Sequence, residues 1–195
     1  MIRHLAAMAS ALVALWSSTD AALACACCSN RGARYVAVET LDDFRRVQIE
    51  RMAFAEEAFL AEGAADNLQD LGTRLDLVVT QTSKEMVFAF HDQADRTTRL
   101  ALAIPDTISI FEVDPFGDEK DEGLGPVLYK EWQLTADARA TGALRRLVES
   151  GPNVTLIFHG RGRGCTEATH FTDWSLQIRG PAGSLTLYGA LTSAR

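Results

Sequence analysis

Two histidines and a cysteine stand close together late in the chain, at His159, Cys165 and His170. Neutral imidazole and thiolate are good ligands for zinc or copper, so this triplet is a candidate metal site. Asp173 follows and is placed to orient one of the histidines from behind. The same residues admit a second chemistry, in which Cys165 is a nucleophile whose thiol is made acidic by His170. The spacing, five residues and then four between the three groups, matches no standard zinc motif. Between His159 and Cys165 lies Gly160-Arg161-Gly162-Arg163-Gly164. Glycines after a strand can let backbone amides cradle an anion, and Arg161 and Arg163 would add charge. The spacing is not the dinucleotide fingerprint, and no helix opens behind it. A bulged connection between two antiparallel strands, with glycine supplying positive φ, is the simpler expectation.

Cys165 has another use. The other cysteines, Cys25, Cys27 and Cys28, crowd the N-terminus. Met1–His4 is a short charged start, Leu5–Trp16 an uncharged apolar run, and Ala22-Leu23-Ala24 a small-x-small cleavage site. This is the layout of a secretory signal peptide over residues 1–24. Its apolar run is too short to span a bilayer. Export to an oxidising compartment makes a disulfide from Cys165 to one of Cys25, Cys27 or Cys28 the expected bridge. Closing a loop of roughly 140 residues contributes up to about 4–5 kcal/mol in the chain-entropy view. If Cys165 is so bonded, it is neither ligand nor nucleophile. Ala22-Leu23-Ala24-Cys25 also resembles a bacterial lipoprotein signal, which implies acylation of Cys25 and a membrane anchor. It departs from that pattern at Ala22, where leucine is usual, and Asp20 sets a charge nearby. Cys-x-Cys-Cys could alternatively hold a soft metal ion.

The elements that must position these groups read mainly as β. Period-2 alternation of apolar and polar residues marks strands near 75–80, 86–91, 100–104, 108–113, 132–140, 154–159, 174–178 and 185–188. Tyr35–Val38 is a further short candidate. A helix is expected from Leu41 to about Arg51, capped by Thr40, with Leu41, Phe44 and Val47 on its apolar face. Met52–Ala61 either continues that helix or opens the sheet. A short helix falls within Gly142–Ser150, and Asp114–Gly125 reads as a solvated loop. The expected architecture is an antiparallel β-sandwich or barrel-like sheet of about eight strands with an N-terminal helix. Residues 25–39 form a cysteine-rich lead-in, and 40–195 form one domain.

The chain carries a net charge of −7, which disfavours nucleic acid as a partner. Trp132 and Trp174 fall on apolar strand faces, and no Gly-x-Ser-x-Gly elbow occurs. Together these features indicate an exported protein, periplasmic or secreted, held at the envelope surface if Cys25 is lipidated. The expected role is a non-enzymatic binding or structural module, with a small ligand or envelope component as partner and an apolar cavity inside the β scaffold as one site for it. No cofactor is expected. The alternative is a zinc or copper protein built on His159, Cys165 and His170, and the least favoured is a cysteine-dependent enzyme.

Overall fold

A computed structural model describes residues 34–61, 74–94, 96–115, 127–162 and 166–192. The signal segment, all four cysteines, Arg163 and most of the acidic loop lie outside these residues, so the disulfide, lipidation and Cys165 assignments are untouched by the geometry below.

The protein is mainly β and antiparallel throughout, with few helices. β1 (Arg34–Thr40) leads into α1 (Asp43–Arg51), then β2 (Ala53–Phe54) and β3 (Glu57–Ala61). Two hairpins follow, β4 (Arg74–Gln81) with β5 (Glu85–His91), and β5 with β6 (Thr97–Ala103). β7 (Thr107–Val113) comes next, then β8 (Leu128–Ala136), β9 (Ala138–Ala140) and the short helix α2 (Arg145–Glu149). β10 (Asn153–Gly162), a 3-10 turn at Ala168–His170, β11 (Phe171–Gly180) and β12 (Gly183–Thr192) complete the order. Twelve strands form one sheet in the order β1-β7-β8-β10-β11-β12-β3-β4-β5-β6-β9, with β2 beside β12. Among the described residues, no helix is long and apolar enough to cross a membrane.

Three local facts raise the count from the expected eight strands to twelve. Met52–Ala61 opens the sheet as β2 and β3 instead of prolonging the helix. The lead-in supplies β1, so the fold begins before residue 40. The long strand expected at 132–140 breaks at Asp137 into β8 and β9. A helix is therefore not the first element; α1 is inserted between two strands. Its cap is Asp42, not Thr40, which belongs to β1: the Asp42 carboxylate accepts from Arg45 N at 2.8 Å. Its expected apolar face also turns the other way. Phe44 and Val47 are exposed, while Gln48 and Ile49 are buried.

The alternation that marked the strands decides what is inside. Met86, Phe88 and Phe90 on β5, Leu100 and Leu102 on β6, and Trp132 and Leu134 on β8 all turn inward. So do Leu156 and Phe158 on β10 and Trp174, Leu176 and Ile178 on β11. Each such side chain contributes about 1.5–3 kcal/mol by leaving water. The rings touch one another: Phe54 lies 5.5 Å from Phe88 and 5.6 Å from Trp174, and Trp132 lies 4.9 Å from Phe171. Edge-on and tilted contacts of this kind fill the interior with aromatic carbon.

Two pairs of strands are bent continuations of each other. β8 runs into β9 across Asp137, and β6 runs into β7 across 104–106. β7 pairs with β8 and β6 pairs with β9, and between the two ladders Ala103 N donates to Asp137 O at 3.0 Å. The far end of the strand order thus lies against a segment near its beginning.

Candidate functional site

The outer face of β8, β10 and β11 gathers the polar groups. Period 2 puts the odd-numbered residues of all three strands on this side, away from Trp132, Phe158 and Trp174. The register sets His159 between Glu131 and Asp173, Ile157 between Gln133 and Ser175, and Thr155 between Thr135 and Gln177. Tyr129 stands opposite Arg161, one step further along.

Four of these side chains form a directed chain. Tyr129 donates to Glu131 Oε1 at 2.7 Å, and Gln133 Nε2 donates to Glu131 Oε2 at 2.7 Å. Burial, and next the bond to Glu131, push the Tyr129 phenol well above its ordinary value, so it keeps its proton. Its oxygen is then left to accept from His159 Nδ1 at 3.0 Å. On its other side His159 Nε2 lies 2.8 Å from Ser175 Oγ, and in the Nδ1–H tautomer it accepts from that hydroxyl. In that tautomer the protons along Ser175, His159 and Tyr129 all point towards the Glu131 carboxylate. A serine hydroxyl on an imidazole is also the start of a nucleophile–base pair. Acyl transfer further requires donors for an oxyanion. Ser175 is buried and sits mid-strand, with β10 and β12 paired on either side of β11. Backbone amides of β11 are thus engaged in the ladders, and the side-chain bonds tie β8, β10 and β11 together.

Along the same face, Thr135, Asn153, Thr155, Gln177 and Arg179 line a shallow concavity of about 410 Å³. Thr135 and Thr155 share a hydrogen bond at 2.9 Å. Among the described residues, the side chains of Asn153, Gln177 and Arg179 have no hydrogen-bond partner. Their amide and guanidinium groups are open to solvent or to a ligand.

A second cluster lies on the opposite, inner side. Lys130 is almost fully buried between Leu128 and Trp132 in the alternation. Its ammonium donates to Thr166 Oγ1 at 2.7 Å and lies 3.6 Å from Glu112 Oε1. Burial pulls its pKa down, and Glu112 opposes that pull. Ala168 N donates to the buried Gln48 Oε1 at 3.0 Å, tying the 3-10 turn to α1. His170 ends that turn, and its Nδ1 accepts from Glu167 N at 3.2 Å. Burial and then the Lys130 charge hold its imidazole below the ordinary range.

The residues singled out by sequence divide between these clusters. His159 belongs to the outer face. His170 packs against Gly162 on the inner side: a Cβ on Gly162 would stand 2.6 Å from the His170 ring, and one on Gly160 would stand 2.0 Å from the His170 carbonyl oxygen. The structure therefore does not bring His159 and His170 together, and among the described residues no three potential ligands gather around one point. Asp173 is bonded by Thr172 Oγ1 at 2.7 Å rather than by a histidine. Gly160-Arg161-Gly162 is not a loop but the end of β10, paired in register with Lys130, Tyr129 and Leu128. Its pairing with β8 engages the backbone on that side, and Arg163 and Gly164 of the expected loop lie outside the described residues. The irregularity is a bulge between His159 and Gly160 on the β11 side. Neither glycine has positive φ; what each supplies is the absence of a Cβ beneath His170. Arg161 reaches outward near Tyr129. Sequence reasoning missed Tyr129, Glu131, Ser175 and Lys130. Continuing the even-numbered alternation back from Trp132 would have exposed Lys130 as an inward charge, but no signal foretold the register joining the other three.

No protein-family model matches this chain, and no curated protein or solved structure does either.

Proposed function

We propose that the protein is an exported cell-envelope module that binds a polar, polyhydroxylated ligand on the outer face of β8–β10–β11, without catalysing a reaction on it. The observation that carries this is the concavity lined by Thr135, Asn153, Thr155, Gln177 and Arg179, with hydrogen-bonding groups uncommitted among the described residues. Amide and hydroxyl side chains on a flat sheet match the spacing and neutrality of sugar hydroxyls, and Arg179 adds a site for a carboxylate. The aromatic filling of the interior argues against a small apolar ligand there. Continuity of β6 with β7 and of β8 with β9 supports a barrel-like wall of eight strands around that filling, with β1 outside it. The network through His159 supports the face by holding neighbouring strands in fixed relation.

Soluble glycan fragments of the bacterial wall are the probe. Calorimetric titration should give saturable binding that weakens at least tenfold in Q177A/R179A, with circular dichroism checking that substitution at the half-buried Gln177 and exposed Arg179 leaves the fold intact. Absence of binding at millimolar fragment, or equal binding by the double variant, overturns the reading.

A further inference from the structure

Among the described residues, β1 is the edge of the sheet, with a strand on one side only. β7 pairs with it along its whole length, from Arg34 opposite Val113 to Thr40 opposite Thr107. Among the described residues nothing pairs with its other side. An exposed edge of seven residues is a template for another strand, and proteins commonly blunt such edges with lysine or proline. The sequence here, Arg34-Tyr35-Val36-Ala37-Val38-Glu39-Thr40, has neither. Its outward face carries Val36 and Val38, 66% and 73% exposed. These are the most exposed large apolar side chains among the described residues, and β-branched residues of this kind favour a pleated surface. Arg34 lies over the Phe111 ring of β7, 5.7 Å from its centroid, which fixes the start of the strand. Glu39 is held by Arg45 at 2.6 Å and receives the Tyr35 hydroxyl, which fixes its end. The edge is ordered as well as open.

We propose that β1 pairs with β1 of a second copy of this chain, antiparallel about Ala37. A two-fold axis through a strand pair enforces the antiparallel sense, and each contact is then made twice. The strand is self-complementary in that register. Val36 falls opposite the second copy's Val38, Tyr35 opposite Glu39, and Arg34 opposite Thr40. Apolar meets apolar and no like charges face each other, which is the pattern that stabilises cross-strand pairs. Registers shifted by one residue would put valine against the opposite face of the sheet. The pairing joins two sheets, so the polar outer faces of both copies become one surface. An interface of one strand pair is small, so the dimer is weak, with a dissociation constant on the order of tens of micromolar.

Sedimentation velocity of the full mature protein in reducing buffer, from about one to several hundred micromolar, reads this directly. The expected result is a monomer at the low end and a dimer at the high end. V36K/V38K places lysine opposite lysine and should weaken association at least tenfold. V36E/V38K places opposite charges across the pair and should restore the dimer, now weakened by salt. Both substitutions lie on solvent-exposed side chains, and circular dichroism checks that each variant folds. A protein that stays monomeric at every concentration overturns the proposal, since β1 is then covered otherwise. So does a dimer indifferent to V36K/V38K.

Discussion

His170 is where pH meets the fold. Its Nδ1 accepts a backbone N–H from Glu167, so that nitrogen cannot be protonated without losing the bond. Burial and the Lys130 charge act in the same direction, and Glu167 opposes them weakly. The folded state therefore holds His170 neutral to a lower pH than the unfolded chain, whose histidine takes its proton near pH 6.5. Between the two pKa values the unfolded state binds more protons, so stability rises with pH there. The contribution is complete above about pH 6.5 and is lost as pH falls through the depressed folded value. Urea unfolding of the wild type should weaken from pH 7 to pH 5, and H170N should weaken less, since asparagine can still accept from Glu167 without titrating. Equal slopes would show that other groups control the acid side. Lys130 is a different case: its charge is satisfied by Thr166 and neighbouring Glu112, and its cost in desolvation is offset locally.

Elements explain why so much of the sheet and so little of the site was legible. Strands such as Glu85–His91, where every second residue is buried, write their faces directly into the sequence. α1 misled because Phe44 and Val47 keep a helical period while facing solvent, and burial fell to Gln48 through its bond to Ala168. The site depended on register. Ser175 meets His159 only because β11 pairs with β10 so that Ser175 faces Ile157 and Trp174 faces Phe158. No local pattern carries that information, since pairing is decided between segments distant in sequence. The glycines were recognised but for the wrong property. If Gly162 is required because His170 lies on it, the two positions must couple. G162A should destabilise the fold by about 2 kcal/mol by overpacking. In the H170A background, where the ring is gone, the same substitution should cost at least 1 kcal/mol less. Additive effects in a double-mutant cycle would exclude the contact as the reason. G160A offers no such rescue, because its Cβ would meet backbone oxygen.

At the scale of the whole molecule, the strand order also bears on the cysteines without describing them. Arg34 opens β1 and Gly162 ends β10, and the registers set both at one end of the sheet, on strands three apart in the order. Neighbouring strands lie about 4.8 Å apart, so these two points are separated by roughly 15 Å along the sheet. A few residues of extended chain on either side span that gap. The expected bridge from Cys165 to Cys25, Cys27 or Cys28 therefore asks no more of the chain than its reach from Gly162 and Arg34. Intact mass of the protein recovered from its native compartment should give a chain beginning at Cys25, with Cys165 in a disulfide before reduction. A free Cys165 would return the thiol chemistry to consideration, and added acyl mass would establish a lipid anchor. One further consequence follows from the pairing of β12 with both β2 and β3, which sets Tyr188 beside Phe59. These partners are separated by most of the chain, and loop closure over such distances is slow. The sheet cannot be completed while β12 is missing, since it joins β11 to β3. On the proposal that the protein is exported, this late closure would keep the chain competent for passage until β12 has crossed.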